Sequence, residues 1–131
     1  MRFLTVEEVL YIHFQVIDRF GGLHGVRDSG GLESAVARPQ TTVFGSDAYP
    51  TVIEKASSML HSLILNHPFQ DGNKRTAFAA VGLFLQLNGI SITGVHREIE
   101  DFVVRVAEEH LSVVTIADWL LSHTKDGNFK N

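Results

Sequence analysis

The residues from Thr76 to Leu87 form the most apolar stretch of the chain, and they restrict its fold more than any other feature. Almost every position is alanine, valine, leucine or phenylalanine, with no charged residue between. A helix that is apolar all round is normally buried on every side. The stretch therefore predicts a central helix at 76–87. A chain of 131 residues has room for one domain built around it.

The segments on either side of this stretch have the start and stop signals of helices. Thr5 and Glu8 form the pattern of a capping box, and Gly21-Gly22 follows an amphipathic run, which predicts a helix at 6–19. Pro39 ends a short helix at 32–38, after a glycine-rich loop, and Pro50 opens the next one. Further helices are expected at 51–66, 97–109 and 116–122, the last with Thr115 as its cap, and a short extended piece at 90–93.

We therefore predict an all-α fold, a compact bundle of about six helices around a buried central helix. Residues 1–124 should form a single domain, and residues 125–131 a flexible tail. Six aromatic side chains follow helical spacing and are predicted to lie in the core: Phe14, Phe20, Phe78, Phe84, Phe102 and Trp119.

Charge and composition argue against several classes of protein. A formal net charge of −4 gives no basic excess for binding nucleic acid. The chain contains no cysteine, which excludes disulfides and thiolate metal sites. No apolar run approaches the roughly 18 residues of a membrane span, and the N-terminus becomes acidic too early for a signal peptide. We expect a cytoplasmic protein that binds neither nucleic acid nor membrane.

The nine residues from His67 to Arg75, with the sequence HPFQDGNKR, come directly before the apolar helix. Pro68 cannot continue the preceding helix, so His67 should lie where that helix gives way to a loop. Gly72 or Asn73 should begin the next helix. The backbone N–H groups of residues 72–75 would then be free to bind a ligand.

Lys74 and Arg75 contradict the usual charge preference at this position. They place two cations in the first turn of a helix, where the dipole favours negative charge by about 0.3–1 kcal/mol each. A polyphosphate would accept hydrogen bonds from the free N–H groups and pair with both cations. Asp71 is then best interpreted as a Mg²⁺ ligand, because nucleotide phosphates carry that ion. His67 is the candidate general base for a hydroxyl nucleophile.

The whole nine-residue stretch resembles the signature of the Fic/Doc (Fido) superfamily, and its Asn-Lys-Arg ending is similar to the death-on-curing branch. The segments at 22–28 and 31–40 also resemble the family's N-terminal region, so that the likeness covers about residues 5–122. The resemblance implies a compact helical fold, ATP with Mg²⁺, and transfer of part of the nucleotide to a hydroxyl of a target protein.

The same resemblance implies a role for each residue of the motif. His67 would be the base, Asp71 the Mg²⁺ ligand, and Asn73, Lys74 and Arg75 the phosphate contacts. Phe69 would anchor the loop, and Gly72 would let phosphate approach the backbone. The death-on-curing branch implies transfer of the γ-phosphate to translation elongation factor Tu, and restraint by a separate antitoxin chain that lays a helix across a groove.

Three alternatives remain beside this kinase hypothesis. The AMP-transferring branch has glycine where this chain has Lys74, but Asp71-Gly72 occurs there too, so protein adenylylation is the main alternative. A metal-dependent hydrolase using His61, His67 and Asp71 is disfavoured, because His61 and His67 are six residues apart and do not share a helix face. A binding module without catalysis is disfavoured because no motif position is degenerate.

Overall fold

The computed structural model describes residues 1–126 and shows a helical bundle. It has α1 (Val6–Phe20), α2 (Ser29–Ala37), a 3₁₀ turn (Arg38–Gln40), α3 (Val52–Leu65), α4 (Asn73–Leu87), α5 (His96–Glu109) and α6 (Val113–Ser122). The only strands in this range are short: β1 (Thr42–Val43) pairs with β2 (Ser46–Asp47), and β3 (Ile90–Ile92) with β4 (Thr124–Asp126), both antiparallel. The all-α prediction of about six helices is confirmed.

The central position belongs to α3, not to the apolar segment predicted for it. α3 packs against α2, α4, α5 and α6, and most of its side chains are buried, whereas α4 exposes Ala79, Gln86 and Leu87. The sequence concealed this because α3 contains polar residues. Ser57 and Ser58 donate to carbonyl groups of their own helix, and the Lys55 ammonium pairs with Asp47 at 3.1 Å. Buried polar groups that are satisfied in this way cost little.

Several helix boundaries differ from the prediction. α2 begins at Ser29, three residues before the predicted start, and includes Gly30 and Gly31, which were assigned to the glycine-rich loop. It can begin there because the Asp28 carboxylate accepts from Gly31 N–H at 2.9 Å. α6 begins at Val113 with Ser112 as its cap, instead of Thr115. The C-terminal tail was predicted to begin at residue 125, but Lys125 and Asp126 belong to β4, which pairs with β3. Residues 127–131 of the predicted tail lie outside the described residues.

The prediction of an aromatic core is correct in part. Phe84 and Phe102 are buried, and Phe78 and Trp119 are half-buried. Phe14 and Phe20, however, are 55% and 53% exposed; Phe14 lies on a different side of α1 from Val9 and Val16, and Phe20 is the last residue of the helix. No helix within residues 1–126 is long and apolar enough to span a membrane.

Candidate active site

The loop between α3 and α4 presents His67 at the surface and buries the residues around it. His67 is exposed, Pro68 and Phe69 are buried, and Asp71 and Gly72 are half-buried. The His67 backbone has φ +48°, a left-handed conformation that is uncommon for a residue with a side chain. The loop expected between the two helices is therefore present, with an unusual backbone at its first residue.

Asn73 organises the loop from within. Its side-chain Oδ1 accepts from Phe69 N–H at 2.9 Å, and its Nδ2 donates to the Phe69 carbonyl at 3.0 Å. The same Nδ2 lies 3.3 Å from Nδ1 of His67. The side chain is buried, and its amide oxygen and nitrogen are both engaged within the loop. What Asn73 can offer a phosphate is its backbone N–H.

Phe69 is 1% exposed, in agreement with the prediction that it anchors the loop. Its ring stacks on His13 of α1, with 3.8 Å between ring centroids and 7° between planes. Nε2 of His13 is 2.8 Å from the Asp71 carbonyl oxygen, so the imidazole donates to the loop backbone. Burial lowers the pKa of His13, which favours the neutral ring that this packing requires.

Gly72 is the N-cap of α4 and has φ +77°, so the helix begins at Asn73, where the loop sequence predicts its start, three residues before the apolar stretch. The N–H of Thr76 bonds to the Gly72 carbonyl, and the N–H groups of residues 73–75 have no acceptor within the helix. Lys74 and Arg75 are exposed, and neither forms an ion pair with any residue of 1–126. The Arg75 guanidinium lies 4.3 Å from the centre of the Phe20 ring, a cation–π contact.

A cavity of about 430 Å³ opens at this helix start. One wall is formed by Gly72, Asn73, Lys74 and Arg75, and the other by α5, which contributes Glu100, Asp101, Val103 and Val104. The first wall thus brings together two cations that form no ion pair within residues 1–126 and three backbone donors without an acceptor in the helix, whereas the α5 wall carries the carboxylates of Glu100 and Asp101. The first wall is suited to the oxygens of a phosphate chain.

Asp71 lies at the edge of this surface. Its Oδ2 accepts from Leu23 N–H at 2.7 Å, while its Oδ1 has no hydrogen bond to residues 1–126. One carboxylate oxygen is therefore oriented by the protein and the other is available. This arrangement fits a Mg²⁺ ion, which takes one or two carboxylate oxygens and completes its shell with phosphate and water.

The residues that sequence reasoning missed lie in the segment from Gly22 to Asp28, which we call the clasp. Arg27 and Asp28 N–H both donate to the Pro68 carbonyl, and Gln70 N–H donates to the Gly25 carbonyl. Val26 forms a β-bridge with Phe69. Only the family resemblance pointed to this segment, because contacts across about 40 residues leave no local pattern. His13 had a local signal, its position four residues after buried Val9.

The proposed metal cluster for a hydrolase is not assembled. His61 lies within α3, where Nδ1 is 2.8 Å from Nη1 of Arg38, whereas His67 contacts Asn73. Within residues 1–126 no three histidine, aspartate or glutamate side chains come close enough to hold a metal ion together. The hydrolase alternative therefore has no ligand set in this part of the chain.

Comparison with known proteins agrees with this geometry. The model of the Fic/DOC family matches residues 3–85. The chain is 48% identical to Toxin Doc of Mycolicibacterium smegmatis over 99 residues, which is 76% of this chain and 72% of that protein. It is 34% identical to Protein kinase doc of Escherichia phage P1 over 120 residues, 92% of this chain and 94% of the relative. On the family match and both relatives, the chain belongs to the Fic/DOC family.

Proposed function

We propose that this protein is a toxin-type kinase that transfers the γ-phosphate of ATP to a hydroxyl of a target protein. The observation that carries the proposal is the start of α4, where Lys74 and Arg75 are exposed and form no ion pair within residues 1–126, beside three backbone N–H groups without an acceptor in the helix. An exposed His67 and an available Asp71 oxygen lie in the same loop. A base, a metal ligand and an anion site are thus close enough to serve one phosphoryl transfer.

In this proposal the phosphates of ATP bind the N–H groups of residues 73–75 and the two cations. Gly72 contributes as the N-cap of α4, because glycine readily adopts the φ of +77° at which the helix begins. Asp71 would hold Mg²⁺ through Oδ1, and the bound ion would supply neutralisation of the phosphate charge. The loop residues beneath, Phe69 and Asn73, keep these groups in place.

The step itself needs a proton acceptor. The target hydroxyl oxygen bonds to the γ-phosphorus as the bond to the β–γ bridging oxygen breaks, ADP leaves, and the hydroxyl proton passes to His67. The Asn73 amide can only donate toward the ring, because its Oδ1 is held by Phe69 N–H. Nδ1 of neutral His67 therefore carries the lone pair, and a hydroxyl that replaces the weak 3.3 Å contact gives its proton to this atom.

Lys74 favours phosphoryl transfer over AMP transfer. It is exposed on the cavity wall, so its ammonium adds a charge contact where the AMP-transferring branch has an open glycine. A relative named a protein kinase, 34% identical over nearly the whole length of both chains, supports the same choice. We further propose elongation factor Tu as the target, which places the enzyme in the cytoplasm and makes a block of translation its effect.

Labelled ATP distinguishes the two reactions. With Mg²⁺ and elongation factor Tu, ATP labelled at the γ-phosphate should label the factor, and ATP labelled at the α-phosphate should not. The reverse pattern would establish adenylylation. If neither nucleotide labels the factor but γ-label enters other proteins of a cell extract, the kinase stands and the target is wrong.

His67→Ala should lower the transfer rate by about 10²–10⁴-fold, the usual contribution of a general base. The exposed His110, at the C-terminal end of α5 with φ +52°, offers a matched control, because asparagine tolerates the left-handed region. His110→Asn should retain wild-type activity, and both variants should keep the wild-type circular dichroism spectrum. Full activity in His67→Ala would show that His67 is not the base.

An antitoxin fits a second, apolar cavity beside the phosphate site. This cavity, about 170 Å³ in volume, is lined by Val16, Phe20, Phe78, Ala79, Ile99 and Val103 together with Lys74 and Arg75. A helix laid along it would bury the exposed Phe20 and cover both cations, which would block ATP. The protein encoded next to this gene should co-purify with the wild-type chain and not with Ala79→Arg. Equal recovery would mean that the antitoxin binds elsewhere or that the neighbour is not the antitoxin.

A further inference from the structure

The backbone around His67 is held in a conformation that it would not adopt unaided. His67 has φ +48°, a left-handed conformation that is unfavourable for a residue with a side chain. It also precedes Pro68, which restricts its backbone further. Such strain persists only where surrounding contacts impose it. The contacts that impose it here come from one residue of the clasp.

Arg27 binds the carbonyl groups on both sides of this strained peptide. Its Nε donates to the His67 carbonyl at 2.9 Å, and its Nη2 donates to the same oxygen and to the Asn66 carbonyl at 3.0 Å. The backbone N–H of Arg27 donates to the next carbonyl, that of Pro68, at 2.7 Å. Arg27, which lies 40 positions before His67, thus contacts three successive carbonyls, 66 to 68; the third also accepts from Asp28 N–H.

The Arg27 guanidinium has few other interactions in the described part of the chain. Arg27 forms no ion pair with any carboxylate in residues 1–126, and it is exposed, so it contributes little to the core. Its charge suits the C-terminal end of α3, where the last carbonyls lack partners within the helix. Lysine could not replace it, because one ammonium cannot span two carbonyls with the fixed geometry of the guanidinium.

We propose that Arg27 is a positioning residue that sets the direction of the His67 side chain by fixing the carbonyls of residues 66 and 67. The inference rests on the proposed function, in which His67 is the base. It predicts that Arg27 acts on the reaction only through His67 and contributes nothing to the binding of ATP. A purely structural arginine would instead lower stability without this dependence on His67.

The activity test is a double-mutant cycle. Arg27→Gln should reduce kcat by roughly 10- to 100-fold, the effect of a displaced catalytic group, with KM for ATP unchanged. In a His67→Ala background the same substitution should change the residual rate less than about 2-fold, because the group it positions is gone. An equal loss of rate in both backgrounds, or a loss expressed in KM, would overturn the proposal.

Arg27→Lys and Arg105→Gln complete the set. The lysine variant keeps the charge and should lose nearly as much rate as Arg27→Gln; full activity would show that charge alone suffices and would contradict the geometric argument. Arg105 is an exposed arginine whose side chain pairs with Glu109 of the same helix, so Arg105→Gln should match the wild type. The lysine variant also serves if the glutamine variant does not fold.

A readout independent of activity separates this proposal from the proposed function. In NMR spectra of protein with ¹⁵N-labelled histidine, the signal missing in His67→Ala identifies the His67 ring. That signal should shift or broaden in Arg27→Gln and stay in place in Arg105→Gln. If it shifts while the wild-type protein transfers no label from ATP, the proposed kinase fails and the positioning of His67 stands. An unshifted signal would overturn the positioning role itself.

Discussion

Replacing Gly72 with alanine should destabilise the protein more than the same replacement at Gly45. Both glycines have left-handed backbones, with φ +77° and φ +80°. The difference is space: a Cβ at Gly72 would lie 3.0 Å from Cδ1 of Ile17 and 3.4 Å from Cγ1 of Val16, whereas one at Gly45 meets nothing within 4 Å. The pair therefore separates backbone strain from steric crowding.

The expected magnitudes follow from these two terms. Left-handed strain costs about 1–2 kcal/mol, offset by about 0.4–1 kcal/mol from the stiffer unfolded chain, so Gly45→Ala should lose roughly 0.5–1.5 kcal/mol. Gly72→Ala adds the crowding against Ile17, which is 4% exposed and has little room to move. Overpacking of this kind costs about 1–3 kcal/mol. Gly72→Ala should therefore lose about 2–4 kcal/mol in total.

Urea unfolding measures both variants, since a small single domain is expected to unfold in one transition. A third variant tests the named contact directly: Ile17→Val removes Cδ1 and by itself should cost about 0.5–1.5 kcal/mol. Combined with Gly72→Ala, it should recover at least about 1 kcal/mol relative to the sum of the single losses. Equal losses at Gly72 and Gly45, or strict additivity with Ile17→Val, would refute the reasoning.

Two further predictions concern stability away from the loop. Burial, reinforced by the Arg38 charge, lowers the pKa of His61 from 6.5; the unfolded chain then takes up a proton first as pH falls, so stability should decrease from pH 6.5 downward to the folded-state pKa. In urea unfolding between about pH 7.5 and about pH 5, His61→Gln should weaken the dependence of the unfolding free energy on pH. The remaining dependence would include the contribution of His13, whose pKa is also lowered. An unchanged dependence on pH would contradict the role assigned to His61. The Thr76 hydroxyl is buried without a hydrogen-bond partner in residues 1–126, so Thr76→Val should raise the free energy of unfolding by about 1 kcal/mol, and a loss of stability would show that the hydroxyl has a partner.

The starts of α1 and α3, which both have a capping box, were predicted to within one residue. Thr5 and Glu8 form the capping box that the sequence indicates. Thr51 caps α3 in the same way with Glu54. α4 lacks such a signal, because its cap is Gly72 with no side-chain acceptor, and its first turn consists of Asn73, Lys74 and Arg75, which break the apolar pattern. The apolar pattern alone therefore begins only at Thr76, and the start at Gly72 or Asn73 was predicted from the loop that follows Pro68.

Local sequence also singled out the loop at residues 67–75 as the candidate site, but not the internal structure of that loop. The spacing of His67, Asp71 and the two cations predicts a phosphate site because these groups lie within nine consecutive residues and are therefore close together in any fold. The inward rotation of Asn73 depends on a buried hydrogen-bond pair with Phe69, and the role of Arg27 on a contact across 40 residues. Neither has a periodic signature, so both became visible only once the chain was folded.

The loop contacts explain which groups remain for substrate. His13 holds the Asp71 carbonyl from below, Asn73 occupies both polar groups of Phe69, and the clasp holds the carbonyls of residues 66 to 68. Within residues 1–126, these contacts leave Oδ1 of Asp71, the two cations and the N–H groups of the first α4 turn without a hydrogen-bond or ion-pair partner, and they leave the exposed His67 ring with its 3.3 Å contact to Asn73. A site that is fixed before ATP arrives avoids the cost of ordering it during the reaction. Restraint of such an enzyme is therefore expected from a chain that covers the free groups, and the apolar cavity that shares Lys74 and Arg75 lies where such a cover would bind.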